Sequence, residues 1–377
     1  MSEPSLKPLF DTYIQLTSVF VNREWEAQCL LASLISSEPA ILVGPPGTAK
    51  TMMIEYLAKL TNTRYFYYLL TRFTEPDELL GPLDINALRE GEYKRITTNR
   101  LPEAEIIFLD EIFKASSAVR NILLDIILNK RYLDGRTYVK LPTLTIYTAS
   151  NEISTDEEDQ AFYDRLTIRD FIKYVPSTYW DSLLQSGVFL MKNNNIQPIL
   201  TVDYIKILQN LSKIRAEKII SDSSLRSKII EALAELKEVG IELSDRRKIK
   251  LILVFSSISL IFSENEPTLD SLADAIRMVA LHSEDDIKKI ENIIAKLKLS
   301  SVDIQRITTL ATETKNVINV LKQGEVSVAH LRQLRQLRDA IVTELNKIPE
   351  NIRTLRARAM LQESISTIDE FVRSLGV

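Results

Sequence analysis

Gly44-Pro45-Pro46-Gly47-Thr48-Ala49-Lys50-Thr51 follows the spacing G-x-x-x-x-G-K-[ST] of a phosphate-binding loop, with Ala49 where the second glycine is usual. A short apolar run, Ile41 to Val43, precedes it and an amphipathic stretch, Thr51 to Leu60, follows. That is the strand–loop–helix order such a loop requires. Its backbone N–H groups and the helix N-terminus suit a β-phosphate, Lys50 reaches the β and γ oxygens, and the Thr51 hydroxyl suits Mg²⁺. The expected ligands are therefore ATP and Mg²⁺. Alanine costs little at position 49 provided that the backbone angles there are not glycine-only. The plain alternative, a glycine-proline turn before a surface helix, leaves the flanking strand and helix unexplained.

Working outward, Ile106-Ile107-Phe108-Leu109 is a buried-strand run that ends in Asp110-Glu111. Two carboxylates at the end of such a strand fit a nucleotide site, with Asp110 holding Mg²⁺ through a water and Glu111 polarising the attacking water. One of them could instead serve as an acidic start to the helix that follows. A third apolar run, Leu144 to Ala149, ends in Ser150-Asn151, whose amide is placed to meet the γ-phosphate or the attacking water. Open α/β sheets bind ligands at the carboxyl ends of their strands, so the three ends define one site.

Apolar runs at Tyr65 to Leu70, Ile106 to Leu109 and Leu144 to Ala149, separated by helix-length segments such as Ala118 to Leu128, predict a parallel sheet covered on both faces. This α/β domain is expected over residues 1–198. Polar alternation around Gly91, between Gly81 and Pro102, and around Asp134-Gly135 predicts two projecting hairpins. After the break at Asn193 to Asn195 and Pro198, a helical period with start signals at Thr201 and Pro267-Thr268 predicts an all-helical domain over 199–283. From 284 to 377 aromatics nearly vanish and apolar residues keep helical spacing: Ile287, Ile290, Ile294, Leu297, then Leu334, Ile341, Leu345 and Ile348. With Gly324 and Pro349 as punctuation, about three helices in a hairpin or bundle are expected.

A net charge of −4 with 45% hydrophobic residues describes a globular chain and gives no reason to expect a polyanion coat. The single cysteine, Cys29, excludes an intramolecular disulfide, and His282 and His330 stand apart from any zinc pattern. A reducing, cytoplasmic setting is expected. The longest apolar stretch, Ile249 to Phe262, is too short and too serine-rich for a membrane span and reads as a buried helix.

Taken together, GPPGTAKT, IIFLDEIFKA, TASNE, AFYDRLTIR and LSDRR resemble the MoxR family of AAA+ ATPases, and TRFTEPDELLGPL with LPEAEIIFLDEI is similar to its RavA-type branch. The resemblance covers about residues 5 to 285. It implies an AAA+ P-loop α/β core, then a helical lid, with the C-terminal helical domain outside its reach. Lys50 and Thr51 become Walker A, Asp110 and Glu111 Walker B, and Asn151 sensor 1. Arg165 is implied as the arginine that reaches a neighbouring subunit's γ-phosphate, with Arg169 as a second candidate, and Arg246 as sensor 2, with Arg247 left open beside it. The projection after Gly81 is the helix-2 insert and the one at Asp134-Gly135 the hairpin before sensor 1. A homo-oligomeric ring, a hexamer, and a von Willebrand factor A domain partner are implied as well.

The function expected is a ring-forming ATPase that couples hydrolysis to chaperone-like remodelling or maturation of a protein partner. A nucleic-acid motor or translocase is the rival from another class, since Lys94, Arg95, Arg100, Arg131, Arg136 and Lys140 could line a basic pore. A slow nucleotide-binding scaffold fits less well with an intact Glu111.

Overall fold

The computed structural model describes residues 4–135, 137–153, 156–192, 196–263 and 266–297 and, further on, 310, 312–314, 317–318, 321, 328–347 and 355–374. Arg136, the break at 193–195, Gly324, Ile348 and Pro349 lie outside the described residues. Two compact units are present, Met1–Leu297 and Lys298–Val377.

In the first unit α1 (Lys7–Val19) and α2 (Glu24–Ser36) lead into β1 (Ala40–Val43), α3 (Lys50–Leu60), β2 (Tyr65–Leu69), the short helices α4 (Pro76–Leu80) and α5 (Ile85–Arg89), and β3 (Ile106–Asp110). Next come α6 (Ser117–Asn129), β4 (Arg131–Asp134), β5 (Thr137–Lys140), β6 (Thr145–Ser150), α7 (Glu157–Tyr163), β7 (Ile168–Phe171) and α8 (Trp180–Lys192). Five strands form one sheet in the order β2-β3-β6-β1-β7, and every pairing is parallel. The strands pair in register so that Val43 lies opposite both Ser150 and Phe171, which brings three strand ends to one edge.

Alternation along the strands divides the core. Ile107, Leu109 and Ile146 pack with Val119, Leu123 and Ile126 of α6 on one face. On the other face α2 covers the sheet: the Tyr147 hydroxyl donates to the Leu30 carbonyl at 2.7 Å, and Ser33 and Thr145 hydroxyls meet at 2.7 Å. α2 is buried on its outer side too, because helices of the lid pack on it, and Gln209 donates to the Leu34 carbonyl at 2.8 Å.

That lid is α9 (Val202–Ser221), α10 (Ser223–Glu238), α11 (Asp245–Ile261) and α12 (Leu269–Ala280), with α13 (Asp286–Leu297) after it. Thr201 and Thr268 cap α9 and α12, accepting from Tyr204 N and Ser271 N at 3.3 Å each. The serines that interrupt the apolar run of α11 face α9, where Ser257 meets Ser212 at 2.9 Å and Ser256 donates to the Ser212 carbonyl at 2.6 Å. Helix α13, expected by its period to belong with the C-terminal part, instead falls within the first unit, and buries Ile290 and Ile294 there.

Core and lid are joined by two buried arginines. Arg169 on β7 stacks on the Tyr163 ring at 3.7 Å and donates to the carbonyls of Leu166 at 3.0 Å, Tyr163 at 2.6 Å and Leu281 at 3.0 Å. Arg247 on α11 donates to the Val279 carbonyl. Both therefore meet carbonyls at the end of α12, the negative pole of its dipole. Burial holds both guanidiniums below their ordinary range, Arg169 down to about 10. His282 sits between them, accepting from Arg169 Nη1 at 3.0 Å, and burial with the two cations pushes it down to about 4, so it serves as a neutral acceptor at pH 7.

The two projections differ from each other. Around Asp134-Gly135 the expected hairpin forms, with Arg131 opposite Lys140 and Asp134 opposite Thr137. Between Gly81 and Pro102 the alternation yields only a single antiparallel bridge, Leu83 to Arg95, because the Asp84 carboxylate accepts from Asn86 N at 2.9 Å and Ala87 N at 3.3 Å and caps α5 instead. The projections pack together: a Cβ at Gly135 would come within 2.8 Å of the Tyr93 ring, and Arg95 Nε lies 3.7 Å from Asp134.

In the second unit α14 (Val328–Lys347) and α15 (Leu355–Ser374) run antiparallel, since Arg338 pairs with Asp369 at 2.7 Å while Arg358 donates to the Leu345 carbonyl at 3.3 Å. Leu334, Ile341, Leu361 and Ile368 form its core.

Candidate nucleotide site

The phosphate-loop sequence turns where β1 ends. Gly44 N donates to the Ser150 carbonyl at 3.0 Å, and a Cβ on Gly44 would stand 2.2 Å from the Ile172 carbonyl oxygen, so only glycine lets the loop leave the sheet this closely. Gly47 follows with φ 80°, and the Thr48 hydroxyl closes the turn by donating to the Pro45 carbonyl at 2.9 Å. Lys50 opens α3 and is 7% exposed, and its ammonium folds back over the loop, donating to Gly44 O at 2.6 Å and Pro45 O at 3.1 Å. Burial lowers its pKa, and the fields of Asp110 and Glu111 oppose that shift.

Ala49, the N-cap of α3, is left-handed at φ 68° and ψ 17°. The departure from glycine therefore carries strain, about 1–2 kcal/mol for an L-residue in this region. Ala49→Gly is expected to raise stability by about 1 kcal/mol, after the entropy glycine adds to the unfolded chain. A higher thermal midpoint with unchanged nucleotide affinity is the predicted reading, and a lower midpoint contradicts it.

At the end of β3, burial raises the pKa of Asp110, with Glu111 pushing the same way and the Glu111 N–H and Lys50 opposing. Glu111 is itself left-handed at φ 54° and ψ 47°, a bend that takes its carboxylate out of the strand line. Asn151, from the end of β6, donates Nδ2 to Glu111 Oε1 at 2.5 Å, and Lys114 lies 3.4 Å from the same oxygen. Lys50, Asp110, Glu111 and Asn151 thus share one edge of the sheet, as their spacing predicts. The amide of Asn151 is found on Glu111, a partner the sequence did not suggest.

Arg165 and Arg246 are not joined to that cluster by any contact among the described residues. Arg165 follows α7, which an Arg120–Asp159 ion pair ties to α6. Its Nη1 donates to the Ala161 carbonyl, its Nε is buried without a hydrogen-bond partner, and among the described residues it forms no ion pair. Asp164, the simplest partner for it, instead accepts from Ser244 Oγ at 3.1 Å. Ser244 caps α11, so the bond from Ser244 to Asp164 brings the first turn of α11, with its exposed Arg246, to the segment that carries Arg165. Arg169 and Arg247 are 1% and 0% exposed, and burial keeps both guanidiniums away from a phosphate. Arg169 gives its donors to carbonyls and the His282 ring. Arg247 gives its Nη groups to the Val279 carbonyl and the His282 ring, while its Nε, like that of Arg165, is buried without a partner.

Two residues at the site carried no sequence signal. Lys114 is one, a lysine three places after Glu111. The other is Tyr174, 63% exposed, whose hydroxyl donates to the Pro46 carbonyl at 3.2 Å and so fixes the segment after β7 against the phosphate loop. Of the basic residues on the projections, Arg95 is held by Asp77 at 2.5 Å and Gly81 O at 2.7 Å, Arg100 by Glu78 O at 3.1 Å, and Arg131 by Asp125 at 3.3 Å. These three are committed within the chain, whereas Lys94 and Lys140 are exposed and Arg136 lies outside the described residues.

The residues present fit the group their pattern implies. Gly47 faces open space, α3 begins at the end of the loop with Lys50 and Thr51, and one partly buried carboxylate, Asp110, stands within the field of Lys50. Thr51 and Asp110 would hold Mg²⁺ together with the phosphates.

A five-stranded parallel sheet with a phosphate loop after β1, acids after β3, an amide after β6 and a helical lid defines an ATPase fold of the AAA+ class. Residues 7–210 match the family model for the MoxR domain in the MoxR-vWA-beta-propeller ternary systems, and the chain belongs to the MoxR family. It is 31% identical over 369 residues to an uncharacterised protein of Methanocaldococcus jannaschii, covering 95% of this chain and 94% of that one. It is 23% identical over 140 residues to the chaperone MoxR1 of Mycobacterium tuberculosis, 37% of this chain and 36% of that one. A crystal structure of a candidate ATPase from Cytophaga hutchinsonii matches with a TM-score of 0.62 at 17% identity, covering 78% of this chain and 93% of that chain, a likeness of fold. No helix among the described residues is long and apolar enough to cross a membrane.

Proposed function

We propose that this chain hydrolyses ATP in a homo-oligomeric ring, a hexamer, in which each subunit's nucleotide site is completed by its neighbour, and that the cycle remodels or matures a protein partner. The observation that carries the reading is the convergence of Lys50, Asp110, Glu111 and Asn151 at one sheet edge, with Asn151 bonded to Glu111. Mg²⁺, when bound, would neutralise charge on the β and γ phosphates. The phosphate loop and Lys50 would hold the triphosphate, and Thr51 and Asp110 would hold the metal. Asn151 and Lys114 hold the Glu111 carboxylate, which orients the attacking water and accepts its proton. Arg165, with its partnerless Nε, and Arg246, two residues after the Ser244 that bonds Asp164, support a role toward the next subunit's γ-phosphate.

The matched family model is described for systems with a von Willebrand factor A protein, which supports a partner of that kind here. Placement in the RavA-type branch rests on the wording of residues 71–83 and 101–112 alone.

The test is ATPase rate per subunit against protein concentration, with particle mass read in parallel. Turnover per subunit that rises as the particle assembles is the expected outcome. A rate per subunit independent of concentration, from a particle that stays monomeric, would point to a single-chain nucleotide switch.

A further inference from the structure

The helix α8 is turned inside out for a surface helix. None of the residues in Trp180–Lys192 is buried. Trp180, Leu184, Val188 and Met191, at i, i+4, i+8 and i+11, form one stripe, and are 58%, 72%, 51% and 82% exposed. The far side of the helix meets the body through Ser186, whose hydroxyl donates to the Val19 carbonyl. A helix of this length is marginal in water without an apolar face to bury, and Gly187 at its centre weakens it further.

Its size indicates what covers it. With ~200 Å² for a fully exposed large apolar side chain, the stripe and the adjacent Leu183 leave on the order of 600 Å² of apolar surface in water. An ordinary monomer's largest patch is ~300–600 Å². One side of a standard interface buries ~800 Å² in total, a little over half of it apolar. The patch therefore matches the apolar share of a full protein–protein contact. Asp181 and Lys192 are the only charged residues of the helix, so it offers nothing to a polyanion.

Position indicates which protein. Helix α8 begins six residues after Tyr174, which is bonded to Pro46 of the phosphate loop, so its start is tethered close to the nucleotide site. We infer that α8 is the surface on which the next copy of this chain docks. The inference rests on the shared-site reading above, in which a neighbour must approach that same site to deliver its Arg165. The approaching edge has an apolar residue to offer: Ile249, one turn beyond Arg246 on α11, is 64% exposed. The contact is head to tail, α8 of one copy against the α11 start of the next, which is the kind of contact that closes into rings.

The test uses the full-length protein with Leu184→Asp and Met191→Asp combined, both at exposed positions. Particle mass is measured with Mg²⁺ and a non-hydrolysable ATP analogue. The expected result is an oligomer for the wild type and a monomer for the variant at the same concentration, with analogue affinity unchanged within about twofold, a drop in turnover to the level of Arg165→Ala, and assembly retained by Leu184→Met with Met191→Leu. Hydrogen exchange on the wild type gives a reading free of any folding defect in the variant, and slower exchange over 180–191 on assembly is expected. The inference is overturned if the double Asp variant assembles like the wild type, if 180–191 is already protected in the monomer, or if the variant loses only binding to a different protein. A wild type that stays monomeric in every nucleotide state removes the shared-site reading itself, an outcome distinct from an assembled wild type whose assembly ignores these substitutions.

Discussion

Glu111→Gln binds ATP and Mg²⁺ with close to wild-type affinity and turns the nucleotide over ~10²–10⁴-fold more slowly, the range expected when a general base is removed. The glutamine oxygen still accepts from Asn151, so the left-handed bend and the neighbouring Asp110 remain in place. What disappears is the charge that draws a proton from the attacking water. Phosphate release under saturating nucleotide measures the rate, and equilibrium binding of a fluorescent analogue measures the affinity. A variant that hydrolyses at the wild-type rate would reduce Glu111 to a favourable acid near a helix start, worth a few tenths of a kcal/mol to ~1.

Arg165→Ala assembles normally, binds nucleotide and loses ~10³-fold or more in turnover, the scale of an arginine supplied in trans. Assembly is spared because the side chain holds little of its own chain: one bond to the Ala161 carbonyl and no ion pair among the described residues. Arg165→Lys keeps the charge but not the planar fork, so a partial loss between the two is expected. Particle mass and steady-state rate, read on the same sample, separate this from a structural defect. A buried arginine such as Arg247 would behave differently, since truncation there strands the Val279 carbonyl and loosens the junction of core and lid.

Much of this was legible in the sequence because its signals are local. A loop spacing, an apolar run with two acids at its end, and Asp-Gly between alternating residues report on short stretches that fold much as they read. The sheet's edge strand β7 escaped, because Ile168–Phe171 carries Arg169 and Asp170 and a charged run does not read as a buried strand. Arg169 is accommodated by a distant group, the Leu281 carbonyl, whereas Asp170 is only partly compensated: burial raises its pKa to about 7 against the field of Arg277, and its Oδ2 is buried without a hydrogen-bond partner. No window around residue 169 contains those partners. The same holds for the choice between Arg246 and Arg247, adjacent in sequence yet one exposed and the other wholly buried. The Gly81–Pro102 segment misleads for a local reason, since Asp84 offers the backbone a helix cap that competes with the strand ladder. Ala49 shows the reverse case: the sequence makes the cost conditional on backbone angles, and only the structure supplies them.

Mixing two inactive variants measures directly whether one site draws residues from two chains. Glu111→Gln subunits lack the base but keep Arg165, and Arg165→Ala subunits lack the arginine but keep Glu111. Equimolar co-assembly is predicted to recover about a quarter of the wild-type rate, the random share of head-to-tail contacts that unite an intact Glu111 with an intact Arg165. A mixed sample no faster than the average of the two variants alone would contradict it, and would return Arg165 to the surface of its own chain.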